Sequence, residues 1–328
     1  MTNKSKERLN YLDMAKGMAI ICVILGHIMT TNILKTWICS FHVVLFFIIS
    51  GCLLNYTNSL EKDIKVFIKN RLRTIMLPYF IFSIIYIILN YMILGFNTES
   101  LKWNIIYTLI MYGCGALWFL PALFIAEISF VLIYKLLKNK ISIIISAALL
   151  VTISFAITLF KYNIIMLIVI RGIIALGFLV VGYYIFNYIK ELKLNNLFLI
   201  ILLGMSFILS RMNGIVDLWQ LKFNNVFLYL IVSLLGSLSI ILILKNFNSI
   251  KVLNYCGINS LILMCTHQNI MELIKQVSGY NFESYISSIL LLIVILIVEI
   301  PIIYIINNYL SFMTGKFPKK KNVQTITG

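Results

Sequence analysis

Residues 15–31 read AKGMAIICVILGHIMTT, an apolar run that begins beside Lys16 and encloses His27. Its length approaches the roughly 20 residues that cross the hydrocarbon core of a bilayer. Ionisable side chains at membrane depth are costly, and they usually face the interior of a helix bundle. This stretch therefore predicts both a membrane helix and a functional site on that helix.

The composition of the whole chain agrees with a membrane protein. Its 328 residues are 61% hydrophobic and their mean hydropathy is +1.00, more apolar surface than a soluble core of this length needs. Several apolar runs are long enough to span a bilayer. The N-terminal segment 1–13 is polar, and no small-residue cleavage site follows the first apolar run, so we expect no secretory signal.

Charge and cysteine content exclude two other classes of function. A net charge of +16 would indicate nucleic-acid binding in a soluble protein, but in a membrane protein Lys and Arg collect in cytoplasmic loops. The six cysteines are scattered through apolar runs, without a C-x-x-C pair or a metal-ligand spacing. We therefore interpret them as small buried hydrophobic residues and predict no metal site.

Apolar runs and the polar breaks between them predict an all-α integral membrane protein with about ten transmembrane helices. Segment 101–116 is ambiguous and could form a short interfacial or re-entrant piece. The ten predicted helices cover residues 14–34, 37–56, 76–96, 117–137, 141–160, 163–188, 195–212, 224–244, 256–276 and 285–309.

The distribution of basic residues tests this count. With the N-terminus inside, 20 Lys and Arg fall on the cytoplasmic side, six fall outside and Arg171 lies within a helix. One miscounted helix would invert every later loop and remove the asymmetry, so both termini are predicted to be cytoplasmic. We expect one polytopic domain over residues 1–328, with a cytoplasmic N-terminal segment at 1–13 and a basic cytoplasmic tail at 311–328.

Three ionisable residues of the first helix share one face. His27 follows Lys16 by 11 residues, which at 100° per residue returns to within about 20° of the same direction. Asp13 lies about 40° from His27. The helical rise places Lys16 and His27 roughly 16 Å apart along the axis, with Lys16 at the cytoplasmic edge and His27 in the outer half of the bilayer.

A second histidine is predicted to lie near the first. If the first two helices turn at Leu34 and Lys35, His27 and His42 are seven residues from the turn on either side and reach similar depth. A lone membrane histidine is more simply explained by an interhelical hydrogen bond. Two histidines at matched depth above an aligned lysine favour a functional site.

Other polar residues are weaker candidates. Arg71 and Arg73 lie at the cytoplasmic entrance of the third helix, where arginine can bind phosphate, although such residues are also typical of a positive-inside loop. Trp118 is expected near the outer interface, where aromatic residues are enriched.

Four ionisable residues lie inside later helices. Glu127 and Arg171 could form an internal ion pair, since either charge alone would be costly. His267 is predicted near the middle of the ninth helix, and Glu299 lies within the tenth.

The motifs in this order resemble the membrane acyltransferase 3 family, and in particular its fucose 4-O-acetylase-like branch. The family signature has a basic residue followed about ten residues later by His. Its second-helix motif carries proline where this chain has Val44. The resemblance extends over essentially the whole chain and rests on YLDMAKGMAIICVILGH, SFHVVLFFIISG, RLRTIMLPYF and ALWFLPALF.

The resemblance implies transfer of an acyl group, commonly acetyl, from cytoplasmic acyl-CoA to a hydroxyl of a surface polysaccharide or lipid-linked glycan at the cell membrane. It implies that His27 is the catalytic histidine and Lys16 its basic partner, and that Arg71 and Arg73 help to bind CoA. The distance from Lys16 to His27 is comparable to the reach of the pantetheine arm.

In this interpretation His27 is the general base that takes the proton of the acceptor hydroxyl. His42 could orient His27 or stabilise the oxyanion, and Asp13 could position Lys16. No Ser-His-Asp elbow is present, so direct transfer is favoured, with an acyl-His27 intermediate left open. Acceptor choice is expected to depend on the outer loops 97–116 and 211–223.

Two other functions fit the same pattern. A glycan or small-molecule transporter or flippase would also have about ten helices and intramembrane charges, although such proteins often show inverted repeats that are not evident here. A membrane domain that kept the family shape without activity is the other alternative. A different acyl donor such as succinyl-CoA also stays open.

Overall fold

The structure is a computed structural model that describes residues 8–30, 32–93, 95, 97–279 and 284–317. Within them the chain forms α-helices joined by short loops, with two residues paired in an isolated β-bridge, Asp217 and Lys222. The helices are α1 (Asn10–Ile28), α2 (Ile33–Tyr56), α3 (Ile64–Arg71), α4 (Leu77–Ile93), α5 (Thr98–Leu109), α6 (Phe119–Leu137), α7 (Lys140–Ile157), α8 (Ile164–Glu191), α9 (Asn196–Asn213), α10 (Val226–Lys245), α11 (Lys251–Ile258), α12 (Ser260–Ser278) and α13 (Tyr285–Asn308).

The all-α membrane fold predicted from the sequence is confirmed. In the described part of the chain, nine helical segments are long and apolar enough to cross a membrane. One of them, Ile64–Met92, joins α3 to α4 through a π-helical segment, Leu72–Met76. The ambiguous segment 101–116 contains most of α5, which at 12 residues is too short to span a bilayer.

The ninth predicted helix, 256–276, corresponds to α11 and α12, and it is the one prediction without a counterpart among those nine segments. Helix α12 has 19 residues, about 28 Å at 1.5 Å per residue, but it carries more polar residues than its neighbours. The segment formed by α11 and α12 runs parallel to α1, because Gly257 on α11 contacts Asp13 and His267 on α12 contacts His27. Seven candidate spans separate α1 from α12, so a parallel α12 fits a ninth crossing and α13 a tenth.

Two pairs of helices approach each other backbone to backbone through glycine. A β-carbon on Gly17 would lie 2.0 Å from the carbonyl oxygen of Leu253, so α1 and α11 leave no room for a side chain there. Similarly, a β-carbon on Gly51 would lie 2.0 Å from the carbonyl oxygen of Leu179. Small residues permit this close packing in membranes, so α1 lies directly against α11 and α2 directly against α8.

The turn between the first two helices is not where the sequence predicted it. Helix α1 ends at Ile28 and α2 begins at Ile33, so the connection precedes Leu34. Gly26 faces Ile38 and Cys39 across the hairpin. His42 is therefore slightly more than one helical turn deeper than His27, roughly 7 Å, and the prediction of similar depth is wrong.

The predicted terminal segments are only partly described. Helix α1 already begins at Asn10, within the predicted N-terminal segment 1–13. Of the predicted tail 311–328, Ser311–Thr314 forms a 3₁₀ turn, whereas residues 1–7 and the basic residues 319–321 lie outside the described residues.

Candidate active site

Histidines from two distant parts of the chain meet at one end of the bundle. The ring centroids of His27 on α1 and His267 on α12 are 5.3 Å apart, with the ring planes tilted by 45°. His267 has no exposed surface. The sequence placed His267 among the weaker candidates because nothing in the spacing of residues 27 and 267 indicates that they touch.

Hydrogen bonding defines how the ring of His267 is oriented. Its Nδ1 lies 2.7 Å from the carbonyl oxygen of Leu263, one turn earlier in α12. A carbonyl only accepts, so Nδ1 carries the proton and Nε2 presents a lone pair. This Nε2 is buried and has no hydrogen-bond partner among the described residues, which leaves it able to accept a proton or a hydrogen bond.

His27 is accessible, unlike His267. His27 is exposed, whereas the next two residues, Ile28 and Met29, are only 4% and 2% exposed. It is the penultimate residue of α1 and lies within electrostatic range of His42, His267, Lys35 and Lys275. His27 thus faces other helices of the bundle rather than lipid alone, and a small molecule can reach its ring.

His42 is anchored in the same way as His267. Its Nδ1 donates to the carbonyl oxygen of Ile38 at 2.7 Å, which leaves Nε2 as the free ring nitrogen. The side chain is half-buried. His42 contributes a second accessible imidazole one turn below His27.

The polar face predicted for the first helix is present. Lys16 and Asp13 form an ion pair of 2.6 Å, and Arg8 pairs with the same carboxylate. The Asp13 side chain is 7% exposed and that of Lys16 is 21% exposed. Because α1 is uninterrupted from Asn10 to Ile28, Lys16 and His27 lie about 16 Å apart along its axis.

The predicted ion pair between Glu127 and Arg171 is absent, because each residue has other partners. Glu127, 4% exposed on α6, pairs with Arg71 at the end of α3. Side chains in a helix lean toward its N-terminus, so Arg171 on α8 extends toward the loops before that helix. There it donates from Nε to the carbonyl oxygen of Trp219 at 2.7 Å.

The two arginines expected to bind CoA have different surroundings. Arg71 is occupied by Glu127, and its guanidinium lies 4.9 Å from the ring centroid of Phe67. Arg73 is exposed, donates from Nε to the carbonyl oxygen of Gly315 at 2.7 Å and lies 4.5 Å from the ring centroid of Phe317. It belongs to the π-helical segment, a geometry that often occurs at functional sites.

Trp118 is not part of a lipid-facing aromatic belt. It ends the 3₁₀ turn Gly115–Trp118 before α6 and is only 9% exposed. Its ring centroid lies 5.5 Å from the guanidinium of Arg171. The tryptophan therefore packs on a buried cation inside the protein.

The residues on either side of His267 were not predicted from the sequence to be functional. Four consecutive polar residues, 266–269, point about 100° apart around α12 and contact four other segments. Thr266 donates to Glu299 on α13 at 2.6 Å, and Gln268 accepts from the backbone N–H of Ala116 at 2.7 Å. Asn269 accepts from Asn90 on α4 at 3.3 Å.

These contacts make α12 the helix that joins the histidine site to the rest of the bundle. The sequence did contain a sign of these contacts: residues 266–269 are four consecutive polar residues within a predicted membrane helix. Buried polar groups need partners, and four successive ones predict neighbours on every side.

Together these side chains can carry out proton transfer but offer no evident metal site. Three imidazoles gather near the end of α1, and a lysine–aspartate pair lies at its other end. No group of three or more His, Cys, Asp or Glu residues that could hold a metal was found among the described residues. Such an arrangement suits general base catalysis on a substrate that extends along α1.

The comparison with known families agrees with this geometry. The family model described as an acyltransferase domain, acyltransferase 3, matches residues 9–308. This chain belongs to the acyltransferase 3 family. The match includes α1, where Lys16 and His27 lie, and it extends through α13.

Family membership makes the chain a multi-pass membrane acyltransferase. No curated relative and no solved structure matches it.

Proposed function

We propose that this member of the acyltransferase 3 family is an O-acetyltransferase of the fucose 4-O-acetylase-like branch. It transfers the acyl group of cytoplasmic acyl-CoA to a hydroxyl of a cell-surface polysaccharide or lipid-linked glycan in the cell membrane. The observation that supports this most is that the exposed residue His27, on the same helix as Lys16, packs its ring against that of His267.

The reaction requires one base and one leaving group. A nitrogen of His27 takes the proton of the acceptor hydroxyl as its oxygen attacks the thioester carbonyl. The new C–O bond forms, the C–S bond breaks, and the thiolate leaves with the proton that His27 accepted. In the described part of the chain His27 makes no hydrogen bond, so its nitrogens are available for this step.

His267 and His42 assist in different ways. The buried ring of His267 limits the orientations open to His27, since a packed side chain restricts its neighbour. His42 presents Nε2 about one turn below, where it can hold His27 or stabilise the oxyanion once protonated. His267 acts through His27 and is therefore a positioning residue.

Donor binding is assigned to the cytoplasmic end of α1 and to the π-helical segment. Lys16 offers an ammonium group, and Arg73 offers a guanidinium whose η nitrogens donate to no residue in the described part of the chain. Arg71 supports the donor site through Glu127. Arginine binds phosphate well because its donors are planar and multiple.

The test compares glycan acylation with and without an active protein. Surface glycans from cells that express the wild type, His27→Ala or no protein are analysed by mass spectrometry for added acyl groups. Acylation with the wild type alone supports the proposal. Equal acylation by His27→Ala would refute the role of His27.

A second assay separates acyl transfer from transport. Proteoliposomes receive radiolabelled acetyl-CoA on the side corresponding to the cytoplasm and an extracted glycan fraction on the other side. Label in the glycan indicates acyl transfer. Movement of unlabelled glycan across the bilayer would instead favour the flippase. If the glycan is neither labelled nor moved, the result favours a non-catalytic domain.

A further inference from the structure

Arg171 lies in a cage of aromatic side chains near the start of α8. The residue is 2% exposed, and its guanidinium carbon lies 4.7 Å from the ring centroid of Tyr112, 5.5 Å from that of Trp118 and 5.9 Å from that of Trp219. Aromatic faces attract a cation but do not accept its N–H groups as an anion does. We call this set of four residues the Arg171 cage.

The hydrogen bonds of the Arg171 cage are incomplete. Nε donates to the carbonyl oxygen of Trp219 at 2.7 Å, and Nη1 donates to that of Tyr112 at 3.1 Å. Nη2 is buried without a hydrogen-bond partner among the described residues, and so is the indole Nε1 of Trp219. Two unpaired donors thus belong to one cage, and leaving buried donors unpaired is costly.

No carboxylate in the described chain neutralises this guanidinium. The ion pairs of the described residues join Asp13 to Arg8 and Lys16, and Glu127 to Arg71. Asp217 is within electrostatic range of Arg171 but does not pair with it, and its Oδ1 accepts from the backbone N–H of Gln220 at 3.0 Å. A buried charge in the membrane without an anionic partner indicates a function.

The Arg171 cage is connected to the histidine site by one short segment. The turn Gly115–Trp118 places Trp118 on Arg171 at one end. Near its other end the N–H of Ala116 donates to Gln268, the residue that follows His267. The same short turn therefore contacts both the cage and the helix that carries His267.

We propose that the Arg171 cage binds an anionic group, a carboxylate or a phosphate, of the acceptor glycan; this rests on the proposed function. Nη2 of Arg171 and the indole N–H of Trp219 donate to the anion, and the rings pack against the adjoining sugar. Because Tyr112 and Trp219 are half-buried, the cage reaches the protein surface at these two side chains.

The test measures sugar binding without any acyl donor. Purified full-length protein in nanodiscs is titrated with D-glucuronate, D-glucose 6-phosphate and D-glucose, and binding is followed by saturation-transfer NMR. We expect saturable binding of at least one anionic sugar and at least about tenfold weaker binding of glucose, as charge-assisted hydrogen bonds predict. Tighter binding of glucuronate than of glucose 6-phosphate would indicate that the cage takes a carboxylate, and the reverse order would indicate a phosphate.

Three variants make the assignment specific. Arg171→Gln removes the charge and should abolish the preference for the anionic sugar, whereas Arg211→Gln, an exposed arginine near the same loops, should leave it unchanged. If Arg171→Gln fails to fold, Trp219→Phe removes one donor while keeping a ring and should weaken binding several-fold.

Equal binding of glucose and both anionic sugars, or unchanged binding in Arg171→Gln and Trp219→Phe, would show that Arg171 only holds the outer loops together. Because no acyl transfer is measured, failure here leaves the glycan acylation and proteoliposome assays as separate tests of the proposed function.

Discussion

His27 and His267 are 240 residues apart in sequence, yet their ring centroids are 5.3 Å apart. His27 is exposed and makes no hydrogen bond with the described residues, while the ring of His267 is fully buried and anchored to the carbonyl oxygen of Leu263. A fixed imidazole beside an accessible one suits a base that must be held for proton transfer.

Replacing His27 by alanine should lower the rate of acyl transfer by about 10²–10⁴-fold, since that is the usual contribution of a general base. The variant should still insert, because its side chain is accessible rather than part of the core. The measurement is the initial rate of acyl incorporation by protein quantified in the membrane. Full activity in the variant would show that His27 has only a structural role.

Replacing His267 by glutamine tests whether the buried ring positions His27. We expect kcat to fall by about tenfold, or roughly 1.4 kcal/mol, with the KM for acyl-CoA unchanged, because His267 is distant from the end of α1 that carries Lys16. The pH profile of kcat should shift as well, since the environment of the base has changed. A stability change without a change in the pH profile would point to packing alone.

His42→Ala provides the matched comparison. This ring is also tied to the carbonyl one turn earlier, but it lies one turn below His27. We expect slower turnover at unchanged protein stability. If His42→Ala has wild-type kinetics and His267→Gln turns over slowly, only His267 on α12 positions His27.

Arg71 and Arg73 should respond differently to alanine. Arg73→Ala should raise the KM for acyl-CoA several-fold, and raised salt should reduce the difference, because an exposed charge is screened. Arg71→Ala leaves Glu127 buried without its cation, which costs about 3–5 kcal/mol for a buried pair, so thermal stability should fall.

The double variant Arg71→Ala with Glu127→Gln separates these effects. It should recover part of the stability lost by Arg71→Ala, because no buried carboxylate is left unpaired. If Arg71→Ala is stable and only its KM for acyl-CoA rises, then Arg71 binds the donor directly and its contact with Glu127 is secondary.

Gly51→Leu tests the close packing of α2 on α8. A side chain there meets the backbone at Leu179, so neither helix can yield by rotating a side chain, and we expect loss of the folded protein in detergent. Gly204→Leu is the control, because nothing lies within 4 Å of a β-carbon at that position. Equal thermal stability of both variants would contradict the observed approach of the two helices.

The first helix illustrates what the sequence could predict. Lys16, Asp13 and His27 share a face because a helix repeats every 3.6 residues, and this period requires no knowledge of other segments. The same local reasoning predicted the membrane fold, since the length and polarity of each run are properties of the run itself. It failed for the hairpin because loop boundaries depend on how the two helices pack.

The sequence by itself determined a bundle of membrane helices and the polar face of α1, because the hydrophobic effect and helical geometry act on residues close together in the chain. Only the tertiary structure decided that His27 meets His267, that Glu127 pairs with Arg71, and that Arg171 lies among aromatic rings. These pairings depend on the rotation and register of helices far apart in sequence. Several partners of the correct charge or shape exist for each residue, and packing selects among them.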